Sequence, residues 1–260
     1  MYWQVLRKNI KIKEKEGKTM KKYLIAMLLV MAVLLTACGN NAPAEEKIVT
    51  TKPAATEAAE TEPAETEPAL EERDVTLGRM EGDSYVNEYA GYAVDLSGGW
   101  VISSAEELQE LPEKIDELLG DSELTEGNDS LEQFTDVLAE NAETLQTINL
   151  LYRRVSLQER LGYAVMSEAD ILEGILEMQD QLVDTYAQAG ILVEKMELVD
   201  ITFLGEARKA IRTTTTIQDI PYITLQIFEF NRGKYALTLT LASCVEDTTE
   251  SMLDLFSKVG

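Results

Sequence analysis

The strongest constraint on the fold is a run of four strand-like segments that fills the chain from Leu192 to Cys244. Turn sequences, Asp219-Ile220-Pro221 and Arg232-Gly233, separate the last three, so these neighbours should pair as antiparallel hairpins. In the third segment large apolar residues point to both sides, which indicates a sheet covered on both faces. The four predicted strands are Leu192–Leu204, Ala207–Ile217, Tyr222–Asn231 and Lys234–Cys244.

Serine caps followed by apolar stripes predict helices around these strands. We therefore expect one α/β (α+β) domain over residues 79–260, with an antiparallel sheet of about six strands between two helical layers. The predicted helices are Ser104–Leu119, Ser130–Glu143, Ser167–Gly190 and Thr248–Lys258, and the remaining predicted strands are Ser84–Tyr89, Gly91–Leu96 and Leu145–Val155.

An apolar run that follows two lysines ends in Leu35-Thr36-Ala37-Cys38. A charged start, an apolar middle and a small-residue end are typical of an export signal. The segment resembles the signal peptide of bacterial lipoproteins, in which the cysteine receives a diacylglyceryl group and the chain is cut before it. The resemblance implies a signal peptide over residues 1–37, cleavage between Ala37 and Cys38, and a lipid on Cys38 that holds the protein at the extracytoplasmic face of a bacterial membrane, at the cell surface or in the periplasm. A membrane-spanning helix is the alternative, but the run of about 15 residues is shorter than the roughly 20 needed.

The residues on either side of the lipoprotein signal predict two further boundaries. Met20 stands directly before the two lysines, so we expect translation to start there; the alternative is that residues 1–19 form a basic cytoplasmic extension. Residues 38–78 carry the cysteine and then mostly Ala, Thr, Glu and Pro. Such a segment buries too little apolar surface to offset its ordering entropy, so we predict a disordered acidic linker between lipid and domain.

The charge of the chain restricts its partners. It has 23 basic and 47 acidic residues, a formal net charge of −24. Nucleic acid is bound by basic surfaces, so we expect no nucleic-acid partner. The partners that we do expect are membrane lipid, through the diacylglyceryl group on Cys38, and another protein of the cell envelope, with a basic patch facing this acidic surface.

The residue types argue against catalysis. The sequence contains no histidine, which removes the usual base for a serine or cysteine nucleophile and the commonest metal ligand. Cys244 alternates with Thr240 and Ala242 on a predicted strand, so we expect a buried structural thiol. We therefore predict no catalytic residue, no cofactor and no enzymatic activity.

One acidic cluster has part of the spacing of a calcium loop. Asp121, Glu123 and Glu132 occupy positions 1, 3 and 12 of such a loop. Position 6, which requires glycine for a sharp turn, is Glu126, and the glycine comes one residue later as Gly127. This mismatch argues against a calcium site, and we predict no bound metal.

Tyr85, Asn87, Gly91 and Tyr92, followed by Gly99-Trp100, resemble the opening of PsbP-like domains, whose fold is shared with the Mog family of Ran-binding proteins. That fold has a short hairpin, a glycine-tryptophan turn, helices, and a meander closed by a C-terminal helix. Its known members mostly bind partners or assist assembly, so the resemblance implies a noncovalent binding or assembly module of the envelope. Two alternatives stay open: a histidine-free hydrolase that uses carboxylates, and an accessory solute-capture lipoprotein of a transporter.

Overall fold

The computed structural model describes residues 75–110, 133–188, 191–217 and 219–259. They form a mixed α/β fold. The strands are β1 Arg79–Glu81, β2 Ser84–Asn87, β3 Tyr92–Asp95, β4 Trp100–Ile102, β5 Gln133–Asn141, β6 Gln146–Arg154, β7 Leu192–Phe203, β8 Glu206–Ile217, β9 Ile220–Arg232, β10 Tyr235–Cys244 and β11 Phe256–Lys258. The helices are α1 Ala105–Gln109, α2 Leu157–Val165, α3 Glu168–Glu177, α4 Gln179–Gln188 and α5 Thr249–Met252, with a 3₁₀ turn at Leu253–Leu255.

The described strands lie in two antiparallel sheets. The larger has the order β4-β5-β6-β10-β9-β8-β7, and the smaller has the order β1-β2-β3-β11. Strands β7 to β10 form the predicted meander, and each observed bound lies within two residues of the predicted one. The turn residues Asp219 and Gly233 have φ values of 64° and 66°, a conformation typical of tight hairpins.

Each face of the larger sheet packs against a different layer. Leu225 and Ile227 of β9 lie in an apolar core between the two sheets, whereas Phe228 lies on the opposite face with Leu172 of α3 and Tyr186 of α4. The prediction that both faces are covered is confirmed. The prediction of helical layers on both faces is wrong, because the smaller sheet covers one of them. The described strands form two sheets, of seven and four strands, rather than one sheet of about six.

The predicted helix from Ser130 to Glu143 is wrong in the part that the structure describes. Strand β5 occupies residues 133–141 and pairs with β6 along most of its length. Val137, Leu138 and Ala139 are all buried, although consecutive residues of a strand face opposite sides. The pairing of β5 with β6, together with burial of both faces of the strand, thus outweighs the local capping pattern at Ser130.

The predicted C-terminal helix over Thr248–Lys258 is also mostly wrong. Helix α5 ends at Met252, and after the 3₁₀ turn β11 pairs with β3. Met252 and Phe256 are both buried in the core between the sheets. The sequence thus correctly predicted that Met252 and Phe256 are core positions. Phe256 is buried on a strand that completes the smaller sheet, however, and not on a helix.

The predicted long helix after Ser167 is interrupted. The capping box of Ser167 is present, since its hydroxyl accepts a hydrogen bond from the Asp170 amide at 3.2 Å. The helix is interrupted at Met178, which separates α3 from α4. The Ser104 box also forms and begins α1; the predicted continuation to Leu119 lies outside the described residues. Within the part of the chain that is described, the helices are too short or too polar to cross a membrane.

Candidate functional site

The predicted site residues divide into two groups. Ala37 and Cys38, and the acidic residues Asp121, Glu123 and Glu132, lie outside the described residues, so lipidation and the argument on calcium stay predictions. Among the described residues, no three acidic or cysteine side chains are grouped so as to hold a metal ion. Cys244 is buried, as predicted, and burial raises the pKa of its thiol to about 12, which disfavours the reactive thiolate.

A cleft of about 630 Å³ opens between the two sheets beside α1. Asp136 and Tyr85 supply polar groups to it, and most of its remaining wall is apolar. The apolar lining residues include Leu77, Met80, Ile102, Leu108, Phe134 and Val137. Gln109, at the end of α1, and Gln133, at the start of β5, also line this cleft.

Asp136 reaches the cleft from a β-bulge. It is the extra residue between Thr135 and Val137, which keep their partners on β6, and a bulge of this kind redirects a side chain. Its carboxylate accepts a hydrogen bond from the Tyr85 hydroxyl and another, of 2.6 Å, from Nδ2 of Asn87. Burial raises the pKa of Asp136, although these hydrogen bonds act in the opposite direction.

Asp136 and its hydrogen-bonded neighbours Tyr85, Asn87, Tyr152 and Gly78, which we call the Asp136 cluster, join the two sheets. Nδ2 of Asn87, from the smaller sheet, also donates to the Tyr152 hydroxyl of the larger sheet at 2.8 Å. The backbone amide of Gly78 adds a donor 3.2 Å from each oxygen of Asp136. A Cβ at residue 78 would lie 2.1 Å from the Tyr85 ring, so glycine is what allows this approach. Three donors thus already engage the carboxylate, an arrangement that suits an anchor rather than a general base.

A second cleft, of about 240 Å³, contains two carboxylates. Glu168 and Glu229 lie 3.1 and 3.3 Å from the guanidinium of Arg208, which also donates to the backbone oxygen of Phe228 at 2.6 Å. A carboxylate-dependent hydrolase needs one acid and one base turned toward a substrate. Here each carboxylate faces the same cation, so the pair forms an ion-pair network that joins α3 to the sheet.

Helix α2 turns its apolar side to solvent. Leu157, Leu161 and Val165 follow at intervals of four residues and are 62%, 54% and 84% exposed. Gln158 and Ala164 complete the exposed residues of the helix, so none of them carries a charge. An amphipathic surface helix normally does the reverse and buries its apolar stripe. We call these five residues the α2 face.

The opposite side of α2 is fixed by polar contacts. Glu159 closes a capping box with Ser156 and pairs with Arg153 at 2.8 Å, and Arg153 donates to the Tyr163 hydroxyl at 3.1 Å. Burial acts to raise the pKa of Glu159, but the Ser156 and Arg153 contacts outweigh it and hold that pKa below its usual range. Helix α2 was not among the predicted helices, although the Ser156 capping box and the four-residue apolar spacing are visible in the sequence.

Comparison with known proteins shows remote structural similarity. No protein-family model matches the chain, and no curated protein matches it. Among solved structures, the solution structure of cyanobacterial PsbP (CyanoP) from Synechocystis is similar, with 13% identity and a TM-score of 0.38, over 72% of this chain and 95% of that one. A PsbP protein is thus among its structural neighbours, but values this low carry no argument about activity, ligand or partner.

Proposed function

We propose that the protein is a lipid-anchored, noncovalent binding module on the extracytoplasmic side of a bacterial membrane, and that the α2 face docks another envelope protein. The exposure of that face carries the proposal. Leaving Leu157, Leu161 and Val165 in water forgoes the stabilisation that burial of apolar side chains provides. Contiguous apolar surface with polar surroundings is typical of an interaction site.

The proposed occupant is a protein groove with an apolar floor and a basic rim. A ridge of three apolar side chains at four-residue spacing matches the way in which a helix fills such a groove. The face itself carries no charge, so its contact is apolar. The chain as a whole carries a formal net charge of −24, which favours a partner with a basic surface and disfavours an acidic one.

Photo-crosslinking in intact cells tests the docking surface. A photoreactive residue in place of Leu161 should yield a defined crosslinked protein, and the same residue in place of Leu192 is the matched control, since Leu192 is 62% exposed on the edge strand β7. Adding Leu157→Ser should weaken the Leu161 crosslink at least several-fold, because one third of the ridge is removed. Equal crosslinking at both positions, or no effect of Leu157→Ser, would contradict the assignment of this face.

The anchor has a separate test. Cys38→Ala should release the protein from the membrane fraction or leave it as uncut precursor, because the lipid has no other attachment point in the predicted signal. Fractionation and mass spectrometry of the N-terminus measure this. A wild-type protein that is soluble with an unmodified N-terminus would refute the anchor but leave the docking surface standing.

A further inference from the structure

The cleft between the two sheets has room for a small molecule. Its volume of about 630 Å³ lies in the range of about 300–1,000 Å³ that is typical of ligand sites. Both sheets and α1 contribute to its apolar wall, through Met80 of β1, Ile102 of β4, Phe134 of β5 and Leu108 of α1. A mostly apolar wall with a few polar groups is the usual composition of a small-molecule site.

The charges of the cleft are not balanced. Among the described residues that line it, two carry a charge, Asp136 and Arg79. The guanidinium of Arg79 is already paired, with Glu81 at 2.6 Å and with Glu88 at 2.9 Å. No cation pairs with Asp136 in the part of the chain that the structure describes. The cleft therefore contains a half-buried carboxylate without a counterion, and such a group is costly unless a cation reaches it.

The two oxygens of Asp136 differ in how fully they are engaged. Oδ2 accepts from the Tyr85 hydroxyl, from Nδ2 of Asn87 and from the Gly78 amide, whereas Oδ1 has only a share of the Gly78 contact, at 3.2 Å. Each carboxylate oxygen can accept about two hydrogen bonds, so Oδ1 keeps acceptor capacity on a residue that lines the cleft.

One other acceptor of a lining residue is orphaned, that is, buried without a hydrogen-bond partner among the described residues. It is Oε1 of Gln133. Gln133 pairs in register with Arg153, whose Nε is orphaned as well, so an acceptor and a donor belong to neighbouring residues of β5 and β6. Asp136, and not Gln133, therefore defines the class of ligand.

We propose that the cleft binds a small organic ammonium, an amine with an apolar body, whose N–H group donates to Oδ1 of Asp136. The ammonium supplies the missing positive charge, and the apolar body covers side chains such as Ile102 and Leu108. A neutral ligand would leave the carboxylate without a counterion, and an anion would be repelled. Burial raises the pKa of Asp136, and a bound ammonium would act in the opposite direction, because an opposite charge favours the ionised form.

Isothermal titration of the full-length protein with three compounds that share a phenylethyl body tests the proposal. Phenethylamine carries an ammonium, phenethyl alcohol a hydroxyl and hydrocinnamate a carboxylate. The amine should bind at least about tenfold more tightly than the alcohol, because a hydrogen bond to a charged group is the stronger one, and the acid should bind most weakly. Asp136→Asn should remove the preference for the amine over the alcohol. Asp184→Asn removes the same charge from the exposed side of α4, so it is the matched control and should leave the preference unchanged.

A second variant keeps the test independent of the Asp136 cluster. Ala105 lines the cleft from the exposed start of α1, so Ala105→Trp should fold and should fill part of the cleft. It should weaken the binding of amine and alcohol alike, at least several-fold. The proposal would be overturned if the wild type did not bind the amine, if it bound amine and alcohol equally, or if Ala105→Trp bound both as the wild type does. None of these results bears on the α2 face, whose residues do not line the cleft.

Discussion

The two faces of the larger sheet are made by the same strands but differ in composition. In β9, Leu225 belongs to the core between the sheets, and its neighbour Thr224 faces the helices; both are fully buried. In β10 the same alternation places Leu239 and Leu241 in the core between the sheets and Thr240 on the face toward the helices. The comparison teaches that burial alone does not define the core. The face between the sheets is mostly apolar, whereas the face toward the helices combines an apolar cluster with buried polar side chains.

A pair of adjacent substitutions in β9 should separate the two faces most strongly. Leu225→Ala should lower the free energy of unfolding by about 2–5 kcal/mol, because it leaves a cavity in the core between the sheets. Thr224→Val keeps the shape and removes an orphaned hydroxyl, so it should be neutral or stabilising by about 1 kcal/mol. Urea unfolding measures both. Comparable losses would show that Thr224 stabilises the fold as much as Leu225 does.

We expect the second-largest loss in free energy of unfolding at the Asp136 cluster, because it joins the two sheets. Asp136→Leu leaves the Tyr85 hydroxyl, the Asn87 amide and the Gly78 amide without their shared acceptor, and should cost about 1–3 kcal/mol. Asp184→Asn, at an exposed carboxylate of α4, is the control and should change the unfolding midpoint little. If the two substitutions have equal effects, the cluster does not hold the sheets together.

The smallest expected effect concerns pH and compares Glu159 with Asp136. The pKa of Glu159 is lower in the folded state than its ordinary value of 4.5, so its stabilisation is present above that pH and is lost as the pH falls through the folded pKa. Asp136 has a raised folded pKa, so its protonation favours the folded state as the pH falls toward 3.8. Glu159→Gln should therefore reduce the loss of stability between about pH 5 and 3, and Asp136→Asn should increase it. Urea midpoints at several pH values measure this; identical profiles for the two variants would contradict the assignment.

The sequence predicted the parts of the fold that depend on local pattern. The meander was predicted to within two residues because strand alternation and turn residues agree there. Strand β5 was missed because a local capping pattern at Ser130 conflicts with pairing that only the folded chain supplies. The Asp136 cluster could not be predicted, since Tyr85 lies 51 residues away and the carboxylate reaches it through a bulge. The direction of the α2 face could not be predicted either, because spacing defines a stripe but not what it faces.

The pairing of β11 with β3 has a consequence for the time course of folding. Phe256 sits opposite Val94, so a segment near the C-terminal end of the described chain completes a sheet begun near the other end. Until residues 256–258 have been synthesised, β3 keeps an open edge and the core between the sheets lacks one of its aromatic rings. Non-local closure of this kind slows folding, so we expect refolding in about milliseconds to seconds rather than microseconds.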